Sequence, residues 1–321
     1  MLQVALVGAW HVHFNQYAQE VSGREDCTVT ALWDDDEARG RDAAQQYDCV
    51  FEPDYDKLLA REDVEAVVIA SATNQHVELI GKAAEAGKHI FTEKVLCFTT
   101  GEAEELRNSV KENNIQFCIS FPWRTRRELM YAKKVLDEGI LGEVTYARVR
   151  NAHNGASKGW LPDHFFDEKA CGGGAMMDLG THPMYLLTYL LGKPNAVTSV
   201  FTYVTGREVE DNAVTVMEFE NVIACAETGF VSSNDPFFMQ LSGTLGTLYW
   251  GGAQDGVVVN TGEGFIAADS WGEQMKKPID QWVDGILYGG KIEFGIDDAV
   301  MLTKVMEAAY QSFREHKRVE L

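Results

Sequence analysis

The chain opens on short apolar runs separated by stretches in which apolar residues return every three or four positions. This alternation predicts strands followed by amphipathic helices. Gln3 to Val7 (QVALV) is a first strand that stops at Gly8, Val29 to Trp33 (VTALW) a second that stops at Asp34, and Ala66 to Ala70 (AVVIA) a third that ends near Ser71. His89 to Thr92 and Gln116 to Ser120 continue the series. Asn74 to Ala86 reads as a helix, with Gly87 where a helix commonly ends. Apolar runs spaced by helices predict a doubly wound parallel sheet, whose ligands bind outside the carboxyl ends of the strands.

After Ser120 the rhythm changes. Arg127 to Glu138 reads as helix and Glu143 to Arg150 as strand, followed by a polar stretch over 151–171 rich in His, Gly and Trp. From Ala196 to Asn260 strand-like segments follow one another, among them Ala213 to Glu220, Val222 to Phe230, Phe237 to Ser242 and Thr247 to Trp250. Short connections between them predict a large, mainly antiparallel open sheet. Asp297 to His316 reads as a closing helix whose first turn carries an Asp pair, suited to capping and to the helix dipole. The expected fold is therefore α/β in two domains, 1–121 and 122–321, with the helix 297–316 able to pack back on the first.

Composition narrows the function. At 321 residues and 45% apolar, the chain has enough material for a core in each of two domains. Its 28 basic and 49 acidic side chains leave a formal charge of −21, which repels phosphate backbones and anionic headgroups. Arg124, Arg126 and Arg127 form the one dense basic cluster, and it is short. We therefore expect neither nucleic acid nor membrane as a partner. The six cysteines stand singly, with no C-x-x-C pair, and read as reduced thiols. MLQVALVGAW has neither a basic leader nor a cleavage site, and no run approaches the ~18 apolar residues of a membrane span, so we expect a cytoplasmic protein.

Three motifs carry candidate chemistry. The first is the turn Gly8-Ala9-Trp10-His11-Val12-His13 after the opening strand, with Asp34 ending the next strand. A dinucleotide turn usually reads G-x-G-x-x-G, and here only Gly8 remains, Trp10 and His13 standing where the second and third glycines would be. Helix N-terminal amides still suit a diphosphate, in a wider loop or with the nucleotide displaced. Asp34 has the spacing of an acid that takes ribose hydroxyls, and Asp35 and Asp36 would repel a 2′-phosphate, favouring NAD over NADP. The lesser alternative for Asp34 is a solvated turn acid, while His11 and His13 equally suit a helix start or a supporting role.

The second motif is Glu93-Lys94-Val95, where a lysine at the carboxyl end of a parallel strand can hydrogen-bond a substrate hydroxyl; alone, the pair reads as a surface ion pair. The third is Cys171-Gly172-Gly173-Gly174-Ala175-Met176-Met177-Asp178-Leu179-Gly180-Thr181-His182-Pro183. A glycine run lets backbone approach a ligand closely. Asp178 and His182, at i and i+4, would share one helical face as a proton-handling pair, or serve as a cap beside a core histidine.

Together these motifs resemble the Gfo/Idh/MocA family (glucose-fructose oxidoreductase, inositol dehydrogenase, MocA), and the resemblance runs nearly the whole chain. VEAVVIASATNQHVELIGKAAEAGKHIFTEKV is similar to that family's run from the third core strand to its Glu-Lys-Pro signature, and KACGGGAMMDLGTHPMYLLTYLLG to its Gly-Gly-Gly…Asp-x-Gly-x-His helix. The resemblance implies an N-terminal Rossmann domain that binds NAD or NADP over 1–121. It also implies a substrate-binding α/β domain over 122–321 whose open sheet forms a homodimer or homotetramer. It makes Lys94 the catalytic lysine, Asp178 the residue that orients substrate and His182 the general base. Gly8, Ala9, Trp10, His11, Val12, Asp34, Ser71, Thr73, Asn74, His76, Glu93, Lys94, Trp123 and Arg124 would then line the cofactor. Val95 replaces the usual proline, and a non-proline cis bond costs ~3 kcal/mol or more, so a trans bond is expected there.

The reading is an oxidoreductase that moves a hydride between NAD and a hydroxyl or keto carbon of a sugar, polyol or glycoside. Lys94, Asp178 and His182 would contact substrate together with Asn151, His153, Trp160 and His164, which precede the glycine run; a Trp face stacks on a sugar. That segment equally reads as a polar loop anchored by a buried Trp. Two rivals remain: a redox-neutral elimination or hydrolysis that uses NAD internally, and a non-catalytic sugar or dinucleotide sensor. No metal site is assigned. His153, His164, Asp178 and His182 have ligand types suited to zinc or manganese but no recognised spacing.

Overall fold

The computed structural model describes every residue except 236, 253–255 and 269–273, and it divides into two compact units. The first comprises 1–120 and 276–300, the second 121–275 and 301–321.

The first unit begins β1 (Leu2–Val7), α1 (Phe14–Ser22), β2 (Cys27–Trp33), α2 (Glu37–Gln46), β3 (Val50–Phe51), α3 (Tyr55–Leu59), β4 (Ala66–Ile69), α4 (His76–Glu85), β5 (His89–Thr92), α5 (Thr100–Glu112) and β6 (Phe117–Ile119). All six strands pair in parallel in the order β3-β2-β1-β4-β5-β6. β4 and β6 are buried throughout, as strands covered on both faces must be. Side chains start the crossover helices: Asp36 accepts from Arg39 N, Asp54 from Lys57 N, and Thr99 with Glu102 forms a capping box on α5. The order reverses between β1 and β4, and the crevice beyond their carboxyl ends is the ligand position of such sheets.

The second unit contains α6 (Arg127–Asp137), β7 (Val144–Ala152), the short helices α7 (Gly155–Lys158), α8 (Glu168–Cys171) and α9 (Ala175–Asp178), and α10 (Thr181–Leu191). Strands β8 (Ala196–Thr202), β9 (Asn212–Glu218), β10 (Ile223–Gly229), β11 (Phe238–Gly243), β12 (Thr247–Gly251), β13 (Val257–Asn260) and β14 (Ile266–Ala267) follow. Next come α11 (Pro278–Tyr288), which belongs to the first unit, α12 (Ile296–Glu315) and β15 (Val319–Glu320). The nine-stranded sheet runs β14-β13-β12-β11-β7-β10-β9-β8-β15, antiparallel except where β7 pairs with β10. The expected fold class is therefore observed in both parts. Burial alternates along β8, where Val197, Ser199 and Phe201 face inward and Thr198, Val200 and Thr202 outward. α10 packs on β7 and β10, and on the opposite face the side chains of Val200, Val214 and Ile223 are exposed.

The boundary differs from the sequence reading at one place. Residues 276–300 return to the first unit, where Trp282 of α11 packs against Phe91 and Phe294 O accepts from Ile119 N at 2.9 Å. The closing helix is divided between the two units. Only its first turn groups with the first unit, because Tyr310 and Phe313 pack on Phe201 and Ser312 Oγ accepts from Ser199 N at 3.0 Å. Among the described residues no helix is long and apolar enough to cross a membrane.

Candidate functional site

Gly8 ends β1 with φ +78, and a Cβ there would lie 2.7 Å from the Ser71 Cα. The glycine thus lets the β1–α1 turn close against the end of β4. Its neighbours are already committed: Gly8 N donates to Trp33 O (2.8 Å), His11 N to Ala70 O (3.0 Å) and His13 N to His11 Nδ1 (3.2 Å). Trp10 and Thr73 are half-buried, while Val12 and Asn74 are exposed. In the same crevice the Ser71 hydroxyl is buried without a hydrogen-bond partner, and so is Gln75 Oε1. Two buried polar atoms without partners at a dinucleotide crevice fit a polar ligand.

Asp34 is sealed. Oδ1 accepts from Asp36 N (2.8 Å) and Arg39 Nη2 (2.6 Å), and Oδ2 from Ala9 N (2.6 Å) and Arg39 Nε (3.0 Å). Its side chain has no exposed surface, so the solvated-turn reading fails. The exposed acid is Asp35, whose Oδ1 meets Arg39 Nη2 at 2.6 Å and whose Oδ2 accepts from Gln75 Nε2 at 2.8 Å.

Glu93 and Lys94 follow β5 and are both buried, so the pair is no surface ion bridge. Glu93 Oε1 accepts from Lys94 N (3.0 Å), and Oε2 meets His13 Nδ1 (2.9 Å) and accepts from the Tyr17 hydroxyl, whose oxygen lies 2.8 Å from Ser120 Oγ and can accept from it. Burial alone would push the Glu93 carboxyl up, but His11, His13 and Lys94 outweigh it and hold it well below the usual range. This ionised carboxylate therefore adds stability that is fully present above roughly pH 5 and is lost as pH falls through its depressed folded value. Glu93→Gln is expected to flatten the acid limb of a pH–Tm curve; an unchanged limb would count against the assignment. His11, His13 and Glu93 also place one ligand-type atom each within 4.8 Å of one another, the grouping found among the described residues in place of the four candidates named from sequence. Tyr17, a turn into α1, carries no sequence signal beyond its position.

The Lys94–Val95 peptide is cis, against expectation. The surrounding packing is what the sequence did not show: Val95 and Leu96 are buried, and His76 Nδ1 lies 2.8 Å from Val95 O. His76 is itself fully buried, with Nε2 3.3 Å from Ser71 O. Burial pushes its imidazole down, and a neutral ring carries a single N–H, so it donates to one of these two carbonyls, Val95 O being the nearer, and it presents no surface to a ligand.

In the second unit the glycine run serves packing. A Cβ on Gly173 would stand 2.0 Å from the Tyr310 hydroxyl, and one on Gly174 2.1 Å from Glu210 O. Glu210 is buried, and its Oε1 accepts from Gly174 N (2.9 Å), Met176 N (2.9 Å) and the Tyr310 hydroxyl (2.7 Å). Burial pushes its carboxyl up against those donors. Nothing in the sequence links Glu210 and Tyr310 to the glycines.

Asp178 and His182 do not lie on one continuous helix. Asp178 ends α9 and His182 sits in the first turn of α10, because Pro183 has no amide to continue the ladder and Thr181 Oγ1 takes Asp178 O (2.7 Å). Leu179 and Gly180 nevertheless keep right-handed helical dihedrals across the junction. His182 is buried, with Nδ1 2.8 Å from the Tyr185 hydroxyl, which also accepts from Trp123 N at 3.3 Å. Trp123 stacks on Phe237 at 4.2 Å and lies 6.3 Å from the His182 ring; Arg124 is buried over the Tyr189 ring at 4.3 Å.

His153 lies between Phe230 (5.0 Å, stacked) and Trp160 (4.6 Å), and its Nδ1 accepts from Gly155 N. Burial pushes this imidazole down, opposed by the Asp178 carboxylate, so His153 and Asp178 sense each other. Trp160 is 55% exposed, not a buried anchor, and donates Nε1–H to Asn154 Oδ1 at 2.8 Å. Asn151 lies on β7 opposite Thr228, while His164 is half-buried and receives the Cys171 thiol on its carbonyl.

Residues 2–121 match the model of an oxidoreductase family with an NAD-binding Rossmann fold, and 129–249 that of the GFO/IDH/MocA C-terminal domain. Levoglucosan dehydrogenase of Pseudarthrobacter phenanthrenivorans is 32% identical over 46% of this chain and 38% of its own length. The 2,7-anhydro-N-acetylneuraminate hydratase of Escherichia coli is 24% identical over 79% of this chain and 64% of its own. The match thus spans less than two thirds of each of these relatives. The crystal structure of GenD2 from gentamicin A biosynthesis in complex with NAD is 26% identical, with a TM-score of 0.85 over 100% of this chain and 96% of that one.

Proposed function

Because the chain belongs to the Gfo/Idh/MocA oxidoreductase family, we propose that it is an NAD-dependent dehydrogenase acting on a hydroxyl or keto carbon of a sugar, polyol or glycoside. The observation that carries this reading is the hydrogen-bonded His182–Tyr185 pair beside Asp178, in a chain that also buries Lys94 at the end of a parallel strand. The unpartnered Ser71 hydroxyl and the switch of strand order between β1 and β4 fit a dinucleotide. Bound NAD supplies a hydride acceptor or donor at its nicotinamide.

The chain's own groups do the rest. In the oxidative direction His182 removes the hydroxyl proton through Nε2, with Nδ1–H donated to the Tyr185 oxygen, and Lys94 stabilises the developing oxyanion. Asp178 orients the substrate, and the exposed Trp160 face stacks on its C–H surface. NAD is preferred over NADP because acids end β2. The protein works as a homodimer or homotetramer through the open face of the nine-stranded sheet.

The test is a panel of sugars, polyols and anhydrosugars incubated with NAD⁺. One or more is expected to yield stoichiometric NADH. A redox-neutral reading draws support from the hydratase relative; it predicts a changed carbohydrate with no net NADH. A panel that gives neither outcome, with the protein folded, overturns the enzyme reading.

A further inference from the structure

We propose that Asp35 rather than Asp34 selects between NAD and NADP, and that Arg39 is a 2′-phosphate site which Asp35 holds closed. The inference rests on the dinucleotide reading above and concerns only how the adenosine ribose is read. A carboxylate offers about four lone-pair positions, and Asp34 fills four with Ala9 N, Asp36 N and both Nε and Nη2 of Arg39. With its side chain wholly buried, it has no acceptor left for a ribose hydroxyl. Its work is to fix the β1–α1 turn and the guanidinium.

Asp35 is placed otherwise. Its side chain is 45% exposed, and each oxygen makes one bond, Oδ1 to Arg39 Nη2 and Oδ2 to Gln75 Nε2. It retains lone pairs for ribose hydroxyls, and its partner Gln75 carries an Oε1 without a hydrogen-bond partner. Arg39 Nη2 is shared between Asp34 and Asp35, its side chain is one-third exposed, and its Nη1 has no protein acceptor among the described residues. A planar guanidinium already anchored on one edge suits bidentate contact with a phosphate. A carboxylate 2.6 Å from it cancels that attraction and repels a phosphate at the same place.

The experiment is calorimetric titration of the full chain with NAD⁺ and NADP⁺, for wild type, Asp35→Asn, Asp34→Asn and Asp35→Asn/Arg39→Lys. Wild type is expected to prefer NAD⁺ by ~100-fold or more. Asp35→Asn is expected to tighten NADP⁺ by ~10-fold or more while weakening NAD⁺ only a few-fold. The added Arg39→Lys keeps a charge for Asp34 but loses the fork, and most of that gain is expected to disappear. Asp34→Asn is expected to weaken both nucleotides alike. An Asp35→Asn ratio within ~2-fold of wild type overturns the proposal, as does a wild type that prefers NADP⁺ or a ratio that moves only in Asp34→Asn. A wild type that binds neither nucleotide overturns the dinucleotide reading itself, an outcome distinct from a misassigned ribose acid.

Discussion

His182→Asn is expected to lower kcat/KM by ~10²- to 10⁴-fold with little change in folding, because it removes the proton acceptor from a site otherwise intact. Lys94→Met is expected to cost a comparable ~10²- to 10³-fold, through loss of the donor to the developing oxyanion. Tyr185→Phe separates orientation from chemistry. It keeps the stack on Phe121, 4.3 Å between centroids, and removes only the hydroxyl that meets His182 Nδ1. The expected fall is about tenfold, the order of one lost hydrogen bond, with a shifted pH–rate profile. Steady-state rates across pH on the substrate found in the panel read all three. Wild-type rates in His182→Asn would remove the base from the mechanism, and Tyr185→Phe with an unmoved profile would remove the orienting role.

The second large effect is structural. Glu210→Ala leaves Gly174 N, Met176 N and the Tyr310 hydroxyl without their acceptor, at about 1–3 kcal/mol for each buried donor left unmet. A total near 3 kcal/mol lowers Tm by about 6–12 °C in a unit of this size. Gly174→Ala forces a methyl to within 2.1 Å of Glu210 O, and overpacking against backbone costs about 1–3 kcal/mol. Glu210→Gln keeps one oxygen for the same three donors and should cost much less. Scanning calorimetry decides: a Glu210→Ala transition within about 1 °C of wild type would mean that the carboxylate does not hold the turn.

These residues show where a sequence is legible and where it is not. The parallel strands can be read because a strand buried on both faces must be continuously apolar, as AVVI of β4 is. β3, β14 and β15 escape because two residues carry no period. α11 escapes because Gly285 interrupts its helical signal, although that glycine is needed where a Cβ would meet Ile292 at 2.8 Å. At the candidate site, Lys94, Asp178 and His182 can be found from their motifs, whereas their supports cannot. Tyr185 is within one turn of His182, but a tyrosine in an apolar helix reads as core. Glu210 and Tyr310 are far along the chain from the glycines they hold. Asp34 was legible as an acid at a strand end, but four donors on one carboxylate can be counted only in three dimensions.

The same limit governs the glycine run and the first turn. The run suggested room for a ligand, and the structure fills that room with Tyr310 and Glu210. In the first turn Trp10 and His13 replace glycines, yet Gly8 keeps the one position where a side chain would strike Ser71. His13 takes a new part there, facing Glu93 at 2.9 Å.

The measurement that tests the account most directly is calorimetric titration of the wild-type chain with NAD⁺. The account predicts saturable, one-to-one binding with a micromolar dissociation constant, in a crevice that retains Gly8 and Ser71 despite Trp10. No heat of binding from a folded protein, confirmed by an unchanged Tm in excess NAD⁺, would contradict it.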